Sequence, residues 1–179
     1  MLRRSVLLSA LAAAACTSSA PPPTMPATAG GPAVTSDPIT TARLGASEFF
    51  RSPQAGQPAA AARAIADIEF LADRVPSDPL WQTARASALT GLAQSRDEAR
   101  RALGIPARAS GQAVIDGLTS AATALEANDR AAVARALPRN VFTAGPEQTV
   151  RRLSAPPRVP SATGALAALS LGPGPSGGR

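Results

Sequence analysis

Apolar residues recur at helical spacing along the chain, and this periodicity limits the possible folds more than any other feature of the sequence. Between residues 58 and 75 the apolar positions are separated by four, three, four and three residues, and they are Ala61, Ile65, Ile68, Ala72 and Val75. Such intervals place side chains on one face of an α-helix. No segment shows the sustained alternation of β-branched and polar residues that is typical of strands. The sequence therefore predicts an all-α fold.

Caps, glycines and prolines divide the chain into a small bundle of about five to six helices. The third is the clearest, because Ser77-Asp78-Pro79 is typical of a helix start and Gly104-Ile105-Pro106 of a helix end. The other predicted helices are 39–50, 58–75, 110–127, 128–137 and 145–153, and residues 161–171 can form one more short helix. Ser110 is the predicted start of the fourth helix, and Asn128-Asp129 breaks the chain and caps the fifth.

Small residues form a stripe along the predicted third helix: Ala84, Ala88, Gly91, Ser95, Ala99 and Ala102. Gly91 should cost the helix about 1 kcal/mol relative to alanine, so its position calls for a structural reason. We expect the second or fourth helix to approach closely at Gly91, rather than a functional hinge. In the second helix, Arg63 and Asp67 lie one turn apart and can form an ion pair on another face.

Composition divides the chain into four parts. Residues 1–15 are predicted to be a signal peptide, 16–38 a tether, 39–154 the helical domain, and 155–179 a low-complexity tail that can include a short helix. The tether is rich in Pro, Ser and Thr, which cannot build a core and favour extended chain, so we expect it to be disordered. Fully extended, residues 17–38 would reach roughly 70 Å. The final GPGPSGGR is also predicted to be disordered.

The first fifteen residues have the organisation of an export signal. Arg3 and Arg4 precede an uninterrupted run, SVLLSALAAAA, of 11 mostly apolar residues. This length fits a signal peptide and falls short of the about 20 residues that cross a bilayer. The two arginines also leave a twin-arginine signal open, although the positive region is short.

The residues around the only cysteine of the chain carry a resemblance to a known motif. Residues 11–16, LAAAAC, resemble the lipobox of bacterial lipoproteins: Ala14, Ala15 and Cys16 match it, and Ala13 stands where the family prefers leucine or another branched residue. The resemblance implies a diacylglycerol on the Cys16 thiol, cleavage after Ala15 and acylation of the new amino group. Ordinary secretion, with cleavage within the alanine run, is the alternative.

The same resemblance implies a cellular location. Thr17 follows the cysteine where aspartate would signal retention in the inner membrane, so the expected destination is the periplasmic side of the outer membrane. The expected partners are the lipid bilayer, through acylated Cys16, and another protein of the envelope. Nucleic acid is not expected, because the exported chain carries 16 arginines against 12 acidic residues, a balance of only +4.

Missing residue types exclude several classes of enzyme. The chain has no His and no Lys, and the expected acylation of Cys16 leaves no free thiol. These absences argue against a Ser-His-Asp triad, a histidine zinc site, a Walker A loop and a Schiff base. We therefore predict no catalytic residue, no metal site and no cofactor, and a protein that is not an enzyme.

The remaining candidates are charged side chains. Glu69 with Asp73, and Asp97 with Glu98, could form the carboxylate pair of a glycosidase, but aromatic platforms for a sugar are nearly lacking. The pairs Arg100-Arg101 and Arg151-Arg152 could bind phosphates or lipid headgroups. For all of them, solvated helix faces are the favoured interpretation.

Two functions from different classes follow. The first is a membrane-anchored envelope lipoprotein that acts as a non-enzymatic structural or protein-interaction module. The alternative is a periplasmic binding or accessory subunit that holds a small amphiphilic ligand between helices. An apolar cavity with an arginine at its mouth would favour the alternative, and a filled core with an exposed apolar groove would favour the first.

Overall fold

The computed structural model describes residues 21–26, 37–81 and 83–172, and in these ranges it is a compact helical bundle without strands. The predicted all-α class is confirmed, with seven α-helices in the described residues where five to six were expected. They are α1 (Pro38–Arg51), α2 (Pro58–Arg74), α3 (Ala86–Leu103), α4 (Gly111–Glu126), α5 (Arg130–Ala136), α6 (Pro146–Ser154) and α7 (Ser161–Ser170). The predicted signal peptide, Cys16 and the GPGPSGGR tail from Pro173 onward lie outside the described residues.

Helix α2 is the centre of the bundle and packs against α1, α3, α4 and α6. Every residue from Ala61 to Leu71 except Arg63 is buried. A helix buried on all sides is a core helix rather than an amphipathic surface helix. As a consequence, two carboxylates of α2, those of Asp67 and Glu69, lie inside the molecule.

The starts of α4 and α5 agree with the capping residues predicted from the sequence. The Ser110 side chain accepts a hydrogen bond from the backbone N–H of Ala113 at 3.2 Å. The Asp129 side chain accepts one from the N–H of Ala132 at 2.9 Å. Each cap satisfies a backbone donor that the first turn of a helix leaves free.

The predicted start of α3 at Pro79 is wrong, because the helix begins at Ala86. Asp78 accepts a hydrogen bond from the N–H of Leu80 at 3.0 Å, which forms a local turn instead of a helix cap. A second turn follows, in which the N–H of Ala84 donates to the carbonyl of Trp81 at 2.8 Å. These turns direct Trp81 into the core, where it is 8% exposed. Burial of the large indole therefore outweighs the local helix-start signal.

The predicted end of α3 is confirmed. Gly104 has φ +74°, a left-handed conformation that glycine adopts without steric cost. The N–H of Ile105 donates to the carbonyl of Arg100 at 2.8 Å, as in a Schellman motif, and Ile105 is buried.

Helix α7 packs against α3 and α1, so the packed body extends to Ser170 and not only to residue 154 as expected. Its buried residues are Ala162, Ala165, Leu166 and Leu169. A Cβ built at Gly91 would lie 2.9 Å from the Cβ of Ala165. The predicted close approach at Gly91 is therefore confirmed, but the partner is α7 rather than α2 or α4. The stripe of small residues on α3 allows the alanine-rich α7 to pack closely against it.

Part of the segment expected to be a free tether contacts the body. Pro23 is buried and Met25 is partly buried against the core. The Gln112 side chain of α4 binds the backbone of Thr24 twice: its Oε1 accepts from the N–H at 2.8 Å, and its Nε2 donates to the carbonyl at 3.1 Å. Two apolar contacts and two hydrogen bonds thus hold residues 21–26 on the bundle.

Candidate functional site

Cys16, the lipidation site predicted from the sequence, lies outside the described residues, so its acylation remains a prediction. Among the described helices, none combines the length and apolar character that a membrane span requires.

The interpretation of Glu69 and Arg100 as solvated side chains is wrong. They are 1% and 7% exposed and form an ion pair between α2 and α3. The Arg100 Nε donates to Glu69 Oε2 at 3.0 Å, and Nη2 donates to Oε1. Nη1 also donates to the carbonyls of Ala107 and Ala109, at 3.0 Å each. Arg100 therefore links the α3–α4 loop to α2, and the two charged side chains stabilise the packing of these elements.

Glu98 also has a structural partner. Its Oε2 accepts from the N–H of Ser161 at 3.0 Å, and its Oε1 accepts from the Ser161 hydroxyl at 2.9 Å. The residue before α7 is a proline that supplies no side-chain cap, so Glu98 of α3 caps α7 from a neighbouring helix.

The other charged residues that the sequence offered as candidates do not line a common cleft. Asp73 is exposed and lies 3.8 Å from Arg96, and its carboxylate and that of buried Glu69 both border Gly111 of α4, where a Cβ would lie 3.5 Å and 3.4 Å from them. Asp97 and Arg101 are exposed, and the Arg101 Nε donates to the Asp97 carbonyl at 3.2 Å. One member of each predicted carboxylate pair is already engaged, because Glu69 is paired with Arg100 and Glu98 caps α7. In the described ranges, no group of three or more potential metal ligands is present.

The Arg151-Arg152 pair is divided between two environments. Arg151 is exposed and its Nε donates to Gln148 at 3.1 Å. Arg152 is half-buried, and its Nη1 lies 3.5 Å from the carbonyl of Ala102, near the C-terminal end of α3. A guanidinium in that position complements the negative end of the helix dipole.

A cleft of about 570 Å³ lies between α1 and α2 and has a buried carboxylate in its wall. Asp67 is 9% exposed and accepts no hydrogen bond from a described residue, but its oxygens still reach solvent, since the buried unpartnered side-chain atoms of the described residues are those of Arg43 and Arg96. It fits against α1 because Gly45 has no side chain: a Cβ there would lie 2.8 Å from the Asp67 Oδ2. Glycine at position 45 thus leaves the space that the carboxylate occupies.

The ion pair expected between Arg63 and Asp67 does not form. Arg63 instead makes a bidentate contact with Glu126 of α4, in which Nη2 donates to Oε2 at 2.7 Å. This hydrogen bond raises the pKa of Arg63 and lowers that of Glu126. Burial raises the pKa of Asp67 to about 7, and the positive charge of Arg63 opposes that rise.

One feature of the sequence points to the buried Asp67 carboxylate, although the helical periodicity does not. The stretch AIADIEFL, residues 64–71, is apolar on all sides except for two acidic residues. A carboxylate in a core helix either has a hydrogen-bonding partner or has its charged form destabilised by burial. Here Glu69 is paired with Arg100, whereas Asp67 has no such partner among the described residues. A buried group with a shifted pKa beside a cleft is a candidate for function.

A second cleft, of about 670 Å³, lies where α4, α5 and α6 meet. Its apolar wall includes Leu125, Val133 and Val150, and the exposed Arg130 and Arg151 also line it. An apolar surface beside guanidinium groups is suited to an amphiphile with an anionic end.

Comparison with protein-family models, with curated proteins and with solved structures finds no significant match for this chain.

Proposed function

We propose that this protein is an envelope lipoprotein anchored through acylated Cys16, and that it acts as a non-enzymatic structural or protein-interaction module. The observation that carries the proposal is the lipobox-like LAAAAC at the end of an 11-residue, mostly apolar run. The proposed location is the periplasmic side of the outer membrane, since Thr17 and not aspartate follows the cysteine.

The polar groups of the body support a structural role. The buried pair of Glu69 and Arg100 joins two helices and a loop, and Glu98 caps α7. Three of the side chains that the sequence offered as catalytic or anion-binding candidates, those of Glu69, Glu98 and Arg100, thus hold the bundle together.

The contact between Gln112 and Thr24 supports a close association with the membrane. When residues 21–26 lie on the bundle, only residues 17–20 separate them from Cys16. Pro23 is the first buried residue of this segment, and the seven residue steps from Cys16 to Pro23, at about 3.1 Å each, span roughly 22 Å, against roughly 70 Å for the whole tether. In the proposed lipoprotein, the bundle therefore stays close to the bilayer.

Replacing Cys16 with serine is the test of the anchor. We expect the wild-type protein to partition into the detergent phase and to carry acyl chains detectable by mass spectrometry. Burial of each methylene contributes about 0.8 kcal/mol, so two or three chains make attachment effectively permanent. We expect Cys16→Ser to move to the aqueous phase while it keeps the helical circular-dichroism spectrum of the wild type. Unchanged partitioning of Cys16→Ser would show that the lipoprotein proposal is wrong.

The alternative, a subunit that holds a small amphiphile, is favoured by the cleft between α4, α5 and α6. We expect a fluorescent fatty acid to bind there with its carboxylate near Arg130, and Arg130→Ala to weaken binding tenfold or more, as loss of a hydrogen bond to a charged group does. Arg135→Ala is the matched control, because Arg135 is exposed on the same helix but does not line the cleft. Equal affinities of the two variants, or no saturable binding at all, would reject the alternative.

A further inference from the structure

Asp67 is a buried hydrogen-bond acceptor that no described residue satisfies. It is 9% exposed, and the nearby guanidinium of Arg63 donates to Glu126 instead. Buried polar groups almost always have a partner, because desolvation without a hydrogen bond is costly. The exposed fraction that remains lies in the wall of the cleft between α1 and α2. Water, or a ligand that enters this cleft, can therefore donate to the Asp67 carboxylate.

We propose that the cleft between α1 and α2 binds a small organic amine whose primary ammonium group donates hydrogen bonds to Asp67. An ammonium group has three donors and no acceptor, which complements a carboxylate that lacks donors. The cleft, of about 570 Å³, falls in the size range of small-molecule sites. Phe49, Ala60 and Ala64 line it beside Asp67 and provide apolar contact for a short alkyl chain.

The charges around the cleft favour a cation. Arg63 of α2 lines the cleft, and its charge is partly offset by the bidentate contact with Glu126 of α4. Glu48 and Arg51 of α1 line the cleft and are exposed, so they carry opposite charges that solvent screens. The Asp67 carboxylate is the most deeply buried of these charged groups, so solvent screens its effect on a ligand least.

The proposed binding depends on pH through Asp67. With a pKa of about 7, this group is largely protonated in acid and ionised in alkali. Because the ammonium group requires the ionised form, the apparent affinity is expected to rise about tenfold per pH unit below the pKa and to level off above it. By linkage, the bound amine should lower the pKa of Asp67.

The test is a calorimetric titration of the full chain with butylammonium chloride at pH 8 and pH 5, with n-butanol as the uncharged probe. We expect saturable binding of butylammonium at pH 8, affinity at least tenfold weaker at pH 5, and no saturable binding of butanol. Carbon-13 NMR of the Asp67 carboxyl should show its pKa fall when butylammonium is present. If butylammonium does not bind, or if butanol binds equally well, the proposal is overturned.

Asp67→Asn is the variant that isolates the carboxylate, and it should fold. An acid whose pKa is about 3.8 in the unfolded chain and about 7 in the folded one destabilises the fold increasingly between those pH values. We therefore expect a higher unfolding midpoint than wild type for Asp67→Asn at pH 8, and converging midpoints near pH 4. Butylammonium affinity should fall at least tenfold in this variant, whereas Asp97→Asn, at an exposed carboxylate of α3 that does not line the cleft, should change it less than threefold. Equal binding by Asp67→Asn and wild type would overturn the proposal, and neither outcome depends on Cys16.

Discussion

Replacing Arg100 with alanine is expected to lower the free energy of unfolding by about 3–5 kcal/mol. The substitution leaves the Glu69 carboxylate, 1% exposed, without its cation, and it removes the donor to the carbonyls of Ala107 and Ala109. Since domains of this size are stable by about 5–15 kcal/mol, the loss would take much of the total. Urea denaturation followed by circular dichroism measures it.

Two further variants show whether the loss of stability in Arg100→Ala comes from the buried ion pair. Arg101→Ala is the matched control, because Arg101 is the exposed neighbour of Arg100, and its change should stay within about 0.5 kcal/mol. Combining Arg100→Ala with Glu69→Leu should recover part of the loss, since no unpaired charge is then buried. If Arg100→Ala behaves like Arg101→Ala, the two charges are not buried against each other in solution.

Replacing Gly91 with leucine is expected to lower the midpoint of thermal unfolding, in spite of the better helix propensity of leucine. Propensity should contribute somewhat under 1 kcal/mol in favour of the variant. Overpacking should cost about 1–3 kcal/mol or more, because a Cβ at position 91 already lies 2.9 Å from the Ala165 Cβ and 3.2 Å from the Ala165 Cα. The backbone of α7 cannot move aside as a flexible side chain could.

Gly164→Ala is the matched control on the opposite helix. A Cβ at Gly164 meets no atom within 4 Å, so the change should stabilise the protein by up to about 1 kcal/mol. Gly91→Ala combined with Ala165→Gly should show a coupling energy, because each change alters the same contact. A midpoint that rises in Gly91→Leu would mean that position 91 faces solvent and that the α3–α7 contact is misplaced.

Features that depend on residues within about one turn of each other could be predicted from the sequence. The caps at Ser110 and Asp129 and the left-handed Gly104 are of this kind, since each acts on a backbone group at most four residues away. The apolar spacing likewise sufficed for the all-α class, because amphipathic faces must be buried whatever their partner. Cys16 belongs to the same local category, and its role remains a prediction.

The helical class, most helix ends and the existence of a tight contact at Gly91 could be read from the sequence alone. Which groups meet depends instead on tertiary packing: Arg100 pairs with Glu69 across 31 positions, and Arg63 pairs with Glu126 across 63, so that Asp67 accepts no hydrogen bond from Arg63. Tertiary packing also decided that Trp81 is buried, at the expense of the first turns predicted for α3. The physical reason is that these contacts depend on how helices distant in sequence pack, and a buried side chain or charge outweighs the fractions of a kcal/mol that local propensity supplies.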